Sequence, residues 1–139
     1  MNLIKKFFSK DIHLIATLTI AFIWAYHGLV PKLLGPHSQE LDMIAAFGIN
    51  ENLATTLAYI AGVLELLMAV LVLVYRNKFW PFYLTIAIVL VLSITVLFGQ
   101  PSFVMFAFNP ITINIAMIML SIIAIRSMDE NLSKLDISS

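Results

Sequence analysis

Four long apolar stretches, set apart by short polar punctuation, make up most of this chain: residues 12–30, 53–75, 79–98 and 110–126. The first continues to residue 34 if Pro31 is absorbed as a kink. Each is close to the roughly 20 apolar residues that a helix needs to cross the hydrocarbon layer of a bilayer. Lipid offers the backbone no hydrogen-bond partner, so these stretches must be helical. The pattern predicts an all-α, polytopic membrane protein, a bundle of four transmembrane helices. Punctuation residues agree. Asn52 can cap the second helix, Pro81 fits the first turn of the third, and Asn109 followed by Pro110 opens the fourth.

Charge placement adds a direction. Lys5, Lys6, Lys10, Arg76, Lys78, Arg126 and Lys134 lie on one side of the predicted bundle, and Lys32 alone lies on the other. This asymmetry predicts N-in/C-in topology, with residues 1–11 and 127–139 cytoplasmic. Tyr75, Phe79, Trp80, Phe82 and Tyr83 form an aromatic belt at the inner interface, and Trp24 and Tyr26 lie toward the outer one. The first stretch is longer than the apolar part of a signal peptide and has no small-residue cleavage site, so it is read as retained. Composition fits: 61% of residues are hydrophobic and 12% charged, against roughly 45–50% and 25% in soluble domains. A net charge of zero without a basic patch gives no reason to expect nucleic acid. The absence of cysteine excludes disulfides and thiolate-held zinc or iron–sulfur clusters.

The connections differ in kind. Arg76-Asn77-Lys78 is a minimal turn that forces an antiparallel pair. Residues 31–52 are long enough to hold an element of their own. Leu41, Ile44 and Ala45 share a face there, acids stand early and Gly48 can end the turn, which predicts an outer interfacial helix at about 39–47. Residues 99–109 carry no charge and are expected to dip into the membrane or pack over the bundle. The tail after Arg126 is expected to fray.

Glu65 carries the strongest chemical signal. It lies about twelve residues into its helix, hence about 18 Å from the outer end. A charge at that depth costs roughly 2.5–3.5 kcal/mol on insertion scales, so it must face the bundle interior or water. Ala54, Ala58, Ala61, Gly62 and Ala69 share its face, and small residues there let another helix approach. Two readings stay open: a proton carrier, ligand partner or cation site, or a neutral acid acting as polar glue. His27 shares a face with Trp24, Gly28 and Pro31. Its imidazole could bond a quinone carbonyl, relay a proton or ligate a metal, or simply bond a neighbour or water. No second intramembrane histidine pairs with it, so haem is not expected, and no metal motif is present. Lys32 is expected to snorkel outward and meet Glu40, Asp42 or Glu51. Asn114 lies in the outer third of its helix, for interhelical bonding or ligand contact, and Asn109 is first a cap. Taken together, Glu65, His27, Trp24, Asn114, Asn109 and Lys32 suggest a pocket opening outward with Glu65 at its floor. The helix boundaries put His27 and Glu65 about 8–13 Å apart in depth.

Three segments carry a resemblance: Trp24-Ala25-Tyr26-His27-Gly28-Leu29-Val30-Pro31-Lys32-Leu33, Gly62-Val63-Leu64-Glu65, and Phe108-Asn109-Pro110-Ile111-Thr112-Ile113-Asn114. In order and content they resemble the signature segments of the DoxX-like family. The resemblance implies a four-helix membrane domain. The family's namesake is similar to a small membrane subunit of a thiosulfate:quinone oxidoreductase, related domains occur fused to epimerase-like proteins, and wider relatives resemble cargo receptors or assembly factors. A shared fold transfers no activity by itself.

The resulting expectation is a bilayer-embedded accessory subunit, not an enzyme alone, holding an apolar or quinone-like ligand and working with a partner subunit or further copies of itself. The alternatives are a non-catalytic chaperone or receptor and a small transporter. Orientation is directly testable in this cysteine-free chain. Ser38→Cys is expected to react with an impermeant thiol reagent on intact cells and Ser133→Cys only after lysis; the reverse pattern would invert the topology.

Overall fold

The computed structural model describes residues 2–107 and 109–136. Among these, every regular element is a helix: α1 (Asn2–Gly28) with a π-helical turn (Leu29–Leu33), α2 (Ser38–Ala45), α3 (Glu51–Val74), α4 (Trp80–Gly99), a 3₁₀ turn (Pro101–Met105) and α5 (Pro110–Asp136). Phe108, from the third resemblance segment, and the last three residues of the tail lie outside the described residues. Four segments are long and apolar enough to cross a membrane: Asp11–Leu33, Glu51–Val74, Trp80–Gly99 and Pro110–Glu130.

Local chemistry sets most boundaries. Pro110 opens α5, with Asn109 Oδ1 accepting from the Thr112 amide at 3.0 Å. Gly48, at φ +78°, takes the left-handed conformation that ends the segment after α2. Two expectations are corrected. The cap of α3 is Asn50, whose extended backbone (φ −69°, ψ 157°) lets its side chain accept from the Leu53 amide at 3.0 Å; Asn52 is already helical. The polar segment after Arg126 continues as helix to Asp136 instead of fraying at once.

Two contacts fix how α1 meets α3. Near one end, the His13 ring nitrogens lie 2.9 Å from the Arg76 carbonyl, just past α3, and 3.1 Å from the Ala124 carbonyl of α5. Both partners are acceptors, so a doubly protonated ring makes both bonds and a neutral ring makes one. Near the other end, Gly28 lies against Gly62. A Cβ on Gly28 would stand 2.6 Å from the Gly62 carbonyl oxygen, and one on Gly62 would stand 2.8 Å from that of Gly28. The two helices are therefore antiparallel and touch backbone to backbone. Between these contacts lies a dry core that includes Ile20, Trp24, Met68, Val72, Phe82, Val89 and Met117. Trp24 reaches across it, its indole N–H donating to Thr85 Oγ1 of α4 at 3.2 Å. Outward-facing leucines, valines and isoleucines on all four long helices are left exposed, the surface that lipid would cover.

Above the glycine contact α1 gives way to the π-turn, and α2 packs against α3 and α4. The ring of Phe47, just after α2, closes on Gly99 at the end of α4. Gly62→Ala would press a methyl group to 2.9 Å from Lys32 Cβ and Leu33 Cγ as well as onto backbone. Overpacking of this kind costs about 1–3 kcal/mol. Titration in mixed detergent–SDS micelles is expected to show that loss; an unchanged midpoint would mean that the helices separate freely here.

Candidate functional site: a buried acid–base–acid triad

The site starts from the glycine contact. Cα–Cβ bonds tilt toward a helix's N-terminus. In an antiparallel pair, a residue just past the crossing on each helix therefore leans back over it. Lys32 stands four residues after Gly28 and Glu65 three after Gly62, so the two side chains lean toward each other. Lys32 Cβ lies over Gly62, and Glu65 Cβ lies 3.1 Å from where a Gly28 Cβ would be. Each glycine makes room for the charged side chain of the opposite helix.

Pro31 shapes the lysine's side of the site. It has no amide hydrogen and its ring crowds the carbonyl one turn back, so a regular α-helix is interrupted here. The chain widens into the π-turn, closed by the Leu34 amide on the Leu29 carbonyl at 2.9 Å. The His37 amide then bonds the Pro31 carbonyl at 2.8 Å, turning the chain back so that α2 brings Glu40 above Lys32.

Lys32 Nζ donates to Glu65 Oε2 at 3.1 Å and to Glu40 Oε1 at 3.2 Å. The side chains of Lys32, Glu65 and Glu40 are only 9%, 11% and 17% exposed, so solvent screens these pairs little. Lys32 thus turns into the protein, correcting the outward snorkelling expected for it. The pair is also deep: Glu65 lies fourteen residues past Glu51, about 21 Å along α3. His27 is half-buried next to Gly28 and within electrostatic reach of Lys32 and Glu40. The depth gap expected between His27 and Glu65 is absent, because Gly28 itself packs on Glu65.

The remaining candidates lie elsewhere. The Trp24 indole is committed to Thr85, and Asn114 Nδ2 donates to Ser93 Oγ of α4 at 3.0 Å. Asn109 caps α5 and also donates to the Phe106 carbonyl at 3.2 Å. Ala58 and Gly62 are buried on the inward face of α3, and Ala61 is half-buried beside them. Among the described residues no group of three or more His, Cys, Asp or Glu could hold a metal ion.

The sequence model of the DoxX-like family matches residues 21–122. The chain belongs to the DoxX-like family. No curated protein and no solved structure matches it. The matched span runs from the inward face of α1 to the middle of α5, so this DoxX-like membrane protein carries its whole triad inside the family domain.

Two residues of this DoxX-like protein have roles that sequence reading does not single out. Glu40 was one of three acids offered to an exposed Lys32; only the fold of α2 selects it. His13 carries no recognisable sequence signal, yet it joins α1 to the turn after α3 and to α5. A usable signal existed for Lys32, because Trp24, Gly28 and Lys32 recur at four-residue spacing and so share a helix face. Removing one member of a buried ion pair strands the other, at about 3–5 kcal/mol. Lys32→Met is therefore expected to destabilise the protein strongly, and Lys32→Met combined with Glu65→Gln to recover part of the loss. Additive losses in that double variant would mean that the two side chains do not interact.

Proposed function

We propose that this DoxX-like protein is an accessory subunit of the inner (plasma) membrane that binds an apolar ligand with a polar, quinone-like head beside His27. The Glu40–Lys32–Glu65 triad forms the polar floor of that site. One observation carries the reading. Two charged side chains, Lys32 and Glu65, are buried together with part-buried Glu40 over them, in a bundle whose other charged residues on the long helices stand toward the helix ends. Such groups are expensive in a membrane and mark ligand or proton sites by default. A buried ion pair also contributes little net stability compared with apolar packing, so stability alone gives little reason to keep one. With the N-in/C-in topology favoured by the basic residues, the site opens to the outer face through α2 and the π-turn. His27, with no hydrogen bond to another described residue, is free to bond a carbonyl or hydroxyl head, while the exposed apolar side chains of Leu29, Val30 and Leu34 offer surface for a tail.

The first test is native mass spectrometry of the gently solubilised protein. Wild type is expected to retain a small amphiphile that is lost in His27→Ala and weakened in Glu65→Gln. Bare protein in every case, or protein carrying a second polypeptide, would reject the ligand site; the second outcome would point to a non-catalytic partner-binding role.

A further inference from the structure

The triad contains two acids and one base. With all three ionised it carries one negative charge more than Lys32 can balance. Lys32 Nζ engages one oxygen of each acid, Oε2 of Glu65 and Oε1 of Glu40. The second oxygen of each makes no hydrogen bond to another described residue. An excess charge in a poorly polarisable interior is neutralised by a proton or counter-ion, and a free carboxylate oxygen is where a proton attaches.

We propose that the triad holds one exchangeable proton and trades it only with the side of the membrane that carries α2. This deepens the reading of the site as functional and rests on it. On uptake, an O–H bond forms at a free carboxylate oxygen with a proton from water at that end; on release the bond breaks and the proton returns to water. No electrons move. Charged and titratable groups around Glu65 are few. The π-turn supplies Lys32, α2 supplies Glu40 with Asp42 exposed further out, and α1 supplies His27. On α3 itself Glu51 is exposed at the far end. Helix α4 has no Asp, Glu, Lys, Arg or His.

Exchange is one-sided because of what lies beneath the triad. From Gly28 to His13, fifteen residues or about 22 Å of α1, the interior contains Ile20, Trp24, Met68, Val72, Phe82 and Met117. Hydroxyls that could relay a proton through this layer are engaged. Thr17 donates to the His13 carbonyl and Ser121 to the Met117 carbonyl, each at 2.8 Å, and Thr85 accepts from Trp24. A proton at the triad therefore finds water through α2 and a dry plug in the other direction.

The test is infrared difference spectroscopy of purified, ligand-free protein near neutral pH, reading carboxylic-acid carbonyl absorption that shifts in D₂O. Wild type is expected to show one such proton per chain. Glu40→Gln leaves one acid facing one base and is expected to show none, as is Glu65→Gln. Lys32→Met leaves two acids without a base and is expected to show two. Glu40→Gln alters only the short helix α2, so its result survives if changes in the long helices impair folding. No acid signal in wild type, or a signal that persists in both glutamine variants, overturns the proton site. Vesicles loaded with a pH-sensitive dye and given a potassium diffusion potential test the direction of exchange. Proton flux equal to that of protein-free vesicles is expected; a flux abolished by Glu65→Gln overturns one-sidedness. Because the infrared measurement uses no ligand, an empty native mass spectrum with an intact acid signal would reject the ligand reading alone.

Discussion

The backbone contact between Gly28 and Gly62 is the constraint on which the rest of the site depends. It brings α1 and α3 closer than side chains would permit, and it does so where both helices are about to present a charged residue. Antiparallel packing then turns the ordinary tilt of Cβ atoms into convergence, and Lys32 and Glu65 meet. The same closeness leaves no room for water or lipid between them, so the charges must satisfy one another.

Below the glycines, packing is of the usual membrane kind: branched and aromatic side chains fill the centre, and each buried polar group among the described residues has a partner. Thr17, Ser121 and Ser93 return their hydroxyls to carbonyls on their own helices. Trp24 and Asn114 bridge to α4. His13 joins α1 to the α3–α4 turn and to α5. These bonds hold the bundle in one arrangement without an excess of charge. The triad differs because its acids outnumber its base, an imbalance that tight packing does not require.

Pro31 and the segment after it connect the two parts. Interruption of α1 ends the regular helix well short of the far end of α3, and α2 occupies the space above the break. An uninterrupted helix would leave no segment to deliver Glu40. The break costs regular backbone hydrogen bonds, and the π-turn and the bond from His37 to Pro31 recover part of them.

Much of the fold was legible in the sequence. Four apolar runs, basic residues confined to particular connections, an Asn-Pro helix start and small residues on the face of Glu65 led to four membrane-crossing helices, because lipid imposes so few alternatives on a backbone. The same chemistry singled out Glu65, since an acid at that depth has few places to point. Its partner was harder to read. A lysine at the end of a predicted helix reads as a snorkelling one, and three acids in a loop looked equivalent. Which way Lys32 turns depends on how closely α1 approaches α3, and which acid meets it depends on where the π-turn sends α2. Both are distances between segments far apart in the chain. Sequence by itself determined which segments enter the membrane and which residue types cannot face lipid. Tertiary structure alone decided the pairing, because hydrogen bonds between buried charges are set within ångströms and periodicity fixes only a face.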